Sequence, residues 1–161
     1  MKHYTRIEKK ILTETDANSH LLGSLPRPLV FTNGCFDILH RGHVSYLEEA
    51  AQLGNCLLVA VNTDASVRRQ NKGSDRPVNP LPDRLALLAA LQSVDIVIPF
   101  DAETPLELIR LLKPDILVKG GDWPVEDIVG ATEVIQRGGE VHSIPFRYQR
   151  STSDLLKKIR N

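Results

Sequence analysis

Two of the chain's five histidines, His40 and His43, stand three residues apart on either side of Gly42, just beyond the run Phe31-Thr32-Asn33-Gly34-Cys35-Phe36. Imidazoles at this spacing suit two chemistries. They can ligate a metal, or they can donate N–H groups to an anion. A metal needs a third ligand, and no Cys-rich or His-rich partner segment is visible; His3, His20 and His142 are scattered. The carboxylates of Asp37, Asp64 and Asp122 keep that reading open. The anion reading uses more of the text. Thr32, Asn33, Gly34, Cys35 and Phe36 form a loop whose backbone N–H groups can turn towards phosphate, with Gly34 allowing close approach. The helix that follows presents its N-terminus to the same place. Gly42 keeps the space between the two rings free of a side chain. Both Gly-x-Gly-x-x-Gly and the Gly-x-x-x-x-Gly-Lys-[Ser/Thr] phosphate loop are absent. The site therefore suits an oligophosphate held by histidines, with no protein-bound metal.

Such a loop needs a strand before it and a helix after it, and the periodicity supplies both. Leu29–Thr32 is a short apolar strand, and His43 to Gly54 is an amphipathic helix with a glycine stop. Cys56–Asn62 is a fully apolar strand, Asp64 opens a short helix, and 70–80 is a loop by composition. A helix over 83–93 leads to a strand over 95–100. Thr104 and Pro105 read as the N-cap and first residue of the next helix. Then come a strand from Asp115 into the glycine turn at Asp122, a helix towards Arg137, a strand from Glu140 to Phe146, and a capped helix from Ser151 to Arg160. Five apolar strands alternating with helices predict a doubly wound α/β domain with a five-stranded parallel sheet. Ligands of such sheets sit at the carboxyl ends of the strands. Gly34 to His43, Asn62 to Asp64, Lys119 to Asp122 and Arg147 to Ser153 all fall there.

Residues 1–28 read as a helical preface to a domain over 29–161. Ile7, Ile11 and Leu12 predict one apolar helical stripe, and Leu21, Leu22 and Leu25 a second. The preface helix would suit a homodimer. The chain has 161 residues, enough for one domain with a good core, and 42% of them are hydrophobic. Twenty basic residues balance twenty acidic ones, which argues against a nucleic-acid binder relying on a broad basic field. Two cysteines, Cys35 and Cys56, form no close pair, and no apolar run is long enough to cross a bilayer. The expectation is a cytoplasmic, reduced protein with no membrane partner.

His40-Arg41-Gly42-His43 after a strand resembles the His-x-Gly-His signature of the nucleotidylyltransferase superfamily. Ser151-Thr152-Ser153, opening the last helix, resembles its second, phosphate-binding signature. "FTNGCFDILHRGHVSYL", "VAVNTDASVRR", "DRPVNP", "LVKGGDW" and "STSDLLKKI" are similar to the adenylyltransferase domains that make ADP-heptose, over roughly Leu29 to Arg160. The resemblance implies a Rossmann-like fold and a stand-alone enzyme. It would transfer AMP from ATP to D-glycero-β-D-manno-heptose 1-phosphate, downstream of a separate heptose kinase and phosphatase. It implies Mg²⁺ held mainly through the ATP phosphates. His40, His43 and Lys72 would be catalytic, and Ser151, Thr152 and Ser153 would hold pyrophosphate. Lys119, Gly120 and Asp122 would meet nucleotide or sugar. Asn62, Asp64 and Arg76 would lie near substrate. Asp37 would either orient His40 or Arg41 or cap the turn. Arg76 and Arg84 fit sugar-phosphate contacts or surface salt bridges equally well, and Trp123 reads as a cover for the core edge. Related cytidylyltransferases carry Arg-x-x-Gly-Ile before Ser-Thr. Here Arg150 replaces the small or apolar residue, to reach the phosphates or to face solvent. A glycerol-3-phosphate cytidylyltransferase and a non-catalytic nucleotide sensor are the competing readings.

Overall fold

The computed structural model of the chain describes residues 4–13, 16, 22–70, 73, 75–148 and 150–160. Five strands, β1 (Leu29–Gly34), β2 (Cys56–Asn62), β3 (Ile96–Phe100), β4 (Ile116–Gly120) and β5 (Glu140–Ile144), form one sheet in the order β3-β2-β1-β4-β5. Every ladder is parallel. Among the described residues the α-helices are α1 (Tyr4–Glu8), α2 (Arg41–Ala51), α3 (Asp64–Arg69), α4 (Leu81–Ala89), α5 (Leu106–Leu112), α6 (Ala131–Gln136) and α7 (Thr152–Arg160).

The strands read as unbroken apolar runs because both faces of the sheet are covered. Successive side chains then alternate between two cores. Leu29, Phe31, Leu58, Ala60, Ile98 and Leu117 pack on one face with Ile109 and Leu112 of α5 and Val134 of α6. Val30, Leu57, Val59, Val61, Val97 and Val118 pack on the other with Tyr46 and Leu47 of α2 and Leu85 and Leu88 of α4. Truncating a fully buried leucine here, such as Leu58, would cost about 2–5 kcal/mol.

The sheet also opens the site. β1 pairs with β2 along its whole length, from Leu29 to Gly34. With β4 it pairs only at Val30 and Phe31. Beyond Phe31 the two strands are no longer in register contact, and the chain leaves β1 on one side and β4 on the other. This is the switch in strand order, where a doubly wound sheet leaves a crevice.

The preface differs from its predicted stripe. Of its first stripe, Ile7 lies in the helix Tyr4–Glu8, while Ile11 makes an isolated parallel bridge to Val97. Leu12 N donates to Val97 O at 2.9 Å and Val97 N donates to Lys10 O at 2.8 Å. An edge strand exposes unpaired backbone groups, and Lys10 O and Leu12 N satisfy those of Val97 in place of a second helical turn. Leu12 is buried in the core beside Leu29 and Ile98. Of the second predicted stripe, Leu21 lies outside the described residues, and Leu22–Ser24 is a 3₁₀ turn. At α5 the first helical bond runs from Ile109 N to Pro105 O, so Pro105 holds the cap position and no side chain caps the helix; Thr104 is one residue too early.

Candidate active site

α2 begins at the crevice. His40 is its N-cap, in extended conformation, and its Nδ1 faces the N–H of His43 at 3.4 Å. With Nδ1 accepting, the neutral ring carries its proton on Nε2. The His43 ring stacks on it, centroids 3.8 Å apart and planes inclined by 19°. Gly42 leaves room for this stack. A Cβ there would lie 3.0 Å from His40 Nδ1 and 3.2 Å from the carbonyl oxygen of Tyr148.

Burial holds the His40 imidazolium below its ordinary range. Burial, and secondarily the neighbouring His40, push His43 down to about 4. Both rings are therefore neutral near pH 7. His43 Nδ1 is buried without a partner. A buried, unsatisfied ring nitrogen costs free energy unless something arrives to meet it.

A pocket of about 160 Å³ opens beside His43, lined by Asn33, Gly34, Cys35, Phe36, Tyr46, Lys119, Gly120 and Phe146. The loop after β1 thus meets the end of β4, as the strand order requires. Phe36 sits at φ +46°, a left-handed conformation that a bulky residue rarely adopts and that marks a tightly constrained loop. The Phe36 ring meets His43 edge-on at 5.3 Å and Tyr46 in a stack at 6.4 Å. Phe146 closes the far side, 5.5 Å from the Tyr46 ring. Burial pushes the Tyr46 phenol above its ordinary range, and its Oη lies 3.2 Å from Thr32 Oγ1. Gly120 leaves room for this aromatic wall, since a Cβ there would lie 3.1 Å from both Tyr46 and Phe146.

α7 reaches the same end of the sheet. Thr152 Oγ1 donates to Ile38 O at 3.4 Å. Ser151 caps the helix, accepting from Asp154 N at 3.1 Å and donating to Asp154 Oδ2 at 2.7 Å. The first turn of α7 presents backbone N–H groups on that side. Ser153 and Arg150 are exposed.

Four residues expected near substrate, Asp37, Asn62, Asp64 and Arg76, do not line this pocket; they join a largely buried polar lattice next to it. Asp37 is 1% exposed and binds Arg76 Nε at 2.5 Å through Oδ2. Its Oδ1 accepts from Val78 N at 2.8 Å and Asn79 N at 2.9 Å. It thus orients neither His40 nor Arg41; it ties the segment after Arg76 to the β1 loop. Asn62 donates to Ser66 Oγ at 2.9 Å, inside β2 and α3. Asp64 accepts from Arg84 Nη2 at 2.6 Å. Arg84 is fully buried, so it forms no surface salt bridge. Its guanidinium also holds Asn79 O at 3.0 Å, Cys35 O at 2.6 Å and Asn62 O at 2.8 Å. This clamp, missed in the sequence, fixes the ends of β1 and β2. Asp122 and Trp123 are exposed on the turn after β4, with Trp123 Nε1 donating to Gly120 O at 3.3 Å. Trp123 therefore covers no core edge. Lys72 lies outside the described residues.

Among the described residues no three His, Cys, Asp or Glu side chains gather to hold a metal, and no helix is long and apolar enough to cross a membrane. The sequence pattern of the cytidylyltransferase-like family matches residues 31–157, a span that holds both histidines, the pocket and the start of α7. The chain belongs to that family.

Relatives of this cytidylyltransferase-like chain narrow the comparison. It is 57% identical over 156 residues to a D-beta-D-heptose 1-phosphate adenylyltransferase of Bordetella bronchiseptica, covering 96% of each protein. It is 58% identical over 132 residues to the bifunctional protein HldE of Aeromonas hydrophila, where it spans only 28% of the longer protein. Among solved structures, a lipopolysaccharide core biosynthesis protein from Thermoplasma volcanium superposes with TM-score 0.60 at 30% identity, over 76% of this chain and 98% of that one. A pantoate-beta-alanine ligase from Francisella tularensis shares the fold alone, with TM-score 0.57 at 15% identity, over 89% of this chain and 68% of that one.

Proposed function

We propose that the chain transfers AMP from ATP to D-glycero-β-D-manno-heptose 1-phosphate, releasing pyrophosphate and giving ADP-heptose for lipopolysaccharide core synthesis. The observation that carries this reading is the 57% identity to the heptose 1-phosphate adenylyltransferase across 96% of both proteins. The geometry supports it, because the residues at the crevice are donors aimed at an anion.

A phosphate oxygen of the sugar 1-phosphate attacks the α-phosphorus of ATP in line. A new P–O bond forms, the bond to the bridging oxygen breaks, and its electron pair leaves with pyrophosphate. The attacking oxygen is already an anion at neutral pH, so no general base is required. Catalysis is then positioning plus stabilisation of charge as it develops. Neutral His40 offers Nε2–H, and His43 a ring N–H, to the α-phosphate and the bridging oxygen. An arriving phosphate raises the pKa of both rings, strengthening those bonds. The start of α7, with Ser151 and Thr152, holds the leaving pyrophosphate, and Lys72 neutralises its charge. Lys119 and Gly120 face the nucleotide or sugar across the pocket.

The pocket lining contributes nitrogen, hydroxyl and aromatic groups but no carboxylate. That donor set fits Mg²⁺ carried on the triphosphate and its waters rather than on the protein. Bound there, the ion would screen phosphate charge. The sugar 1-phosphate would come from a separate kinase and phosphatase in the cytoplasm.

The test is pyrophosphate release with Mg²⁺, using ATP and CTP against a panel of sugar 1-phosphates and glycerol 3-phosphate. Release with ATP and the β-heptose phosphate is the expected result. Release only with CTP and glycerol 3-phosphate would replace the substrate assignment.

A further inference from the structure

Arg41 occupies a position that its own helix does not favour. It is exposed in the first turn of α2, where no acidic residue accompanies it and where the helix dipole repels a cation. Its guanidinium carbon lies 3.8 Å from the centre of the Tyr148 ring, well inside cation–π range. Tyr148 belongs to the segment leading into α7. Its carbonyl oxygen abuts Gly42 so closely that a Cβ there would sit 3.2 Å away. One residue earlier, Arg147 Nε lies 2.7 Å from Glu49 Oε1, also on α2, as an ion pair without hydrogen-bond alignment. Beyond it, Thr152 reaches Ile38. The segment before α7 is thus strapped across the start of α2, beside the histidine pair.

We propose that Arg41 and Tyr148 are positioning residues that hold the pyrophosphate-binding start of α7 against His40 and His43. The inference rests on the phosphate role assigned to both helix starts. Arg41 acts through the Tyr148 ring. Without the contact, the approach to α7 loses its hold at the first turn of α2 and keeps the exposed Arg147 pair and the Phe146 ring packing farther along that helix, so the two halves of the phosphate site can separate. Pyrophosphate, which must touch both halves, is the ligand that feels the loss most.

Calorimetric binding of Mg²⁺-pyrophosphate to the full chain tests this without depending on the sugar. Arg41→Ala and Tyr148→Ala should each weaken binding by about tenfold. The double variant should be no weaker than either single one, because both remove one contact. Tyr148→Phe, which keeps the ring, should restore affinity, and denaturant midpoints should stay near wild type. Multiplying effects would show Arg41 meeting phosphate directly and would overturn the inference, as would unchanged affinity or failure of the wild type to bind pyrophosphate. If the wild type binds pyrophosphate with the expected variant pattern but transfers nothing to heptose 1-phosphate, the substrate assignment fails and the strap stands.

Discussion

Two polar clusters sit at the same end of the sheet and differ in one respect. The lattice of Asp37, Arg76, Asn79, Arg84 and Asp64 is paired largely within itself. Arg84 alone reaches three carbonyls and a carboxylate, and Asp37 meets a guanidinium and two backbone N–H groups. The histidine pair is open, with His43 Nδ1 buried and unpartnered and both rings held neutral. A cluster whose polar groups already meet one another puts its energy into holding backbone in place. An unsatisfied one is stable only because the fold around it holds it there, and it gains when an anion arrives. The contrast separates framework from site more sharply than residue type does, since both clusters are built from the polar residues that chemistry would use.

The separation breaks most visibly at Arg84. Arg84→Ala should cost about 3–5 kcal/mol, because it leaves Asp64 and three carbonyls without their donor. Denaturant midpoints would measure it, and Arg84→Lys should recover only part, since an ammonium cannot replace the planar fork. A midpoint unchanged in Arg84→Ala would place Arg84 with the site instead. His43→Ala should do the reverse. Its transfer rate should fall by a factor of hundreds, about 2.7–4 kcal/mol of transition-state stabilisation, in single-turnover assays with little loss of stability. Next in size, Gly120→Ala should cost about 1–3 kcal/mol through crowding of Tyr46 and Phe146, read as a higher KM together with a lower melting temperature.

The smallest effect is in pH. The His43 pKa is depressed from 6.5 to about 4, chiefly by burial, so the unfolded chain takes up this proton first as pH falls. The stability linked to neutral His43 is whole above pH 6.5 and is lost as pH drops through 4. Melting curves of His43→Gln should lack this component of the acid fall. An identical pH dependence in wild type and variant would show that the ring is not buried as described.

Much of this was readable before the fold was known. Apolar runs of strand length, punctuated by glycine and proline, mark all five strands; β2 matches its predicted bounds at Cys56–Asn62, and α3 opens at Asp64 as expected. Asn33 to Phe36, His43, Lys119 and Gly120 do converge on one pocket. What stayed hidden depends on distances across the sheet. Nothing local distinguishes Arg84, fully buried, from an exposed helical arginine. Asp37 lies within the signature segment, yet its partners are about forty residues away in the chain, and no pattern of spacing records that. Tyr46 had a usable signal, one helical turn after His43 on the same face. Phe146 had none, because it lies two residues past the end of β5 and only the packing of Gly120 calls for a ring.

The most direct test of the account is an NMR titration of the His43 ring in the free protein and with Mg²⁺-ATP bound. Free His43 should titrate near 4, and bound nucleotide should raise that midpoint as the triphosphate meets the ring. A midpoint that ATP leaves unmoved, while the nucleotide is demonstrably bound, would contradict the claim that the histidine pair holds the phosphates.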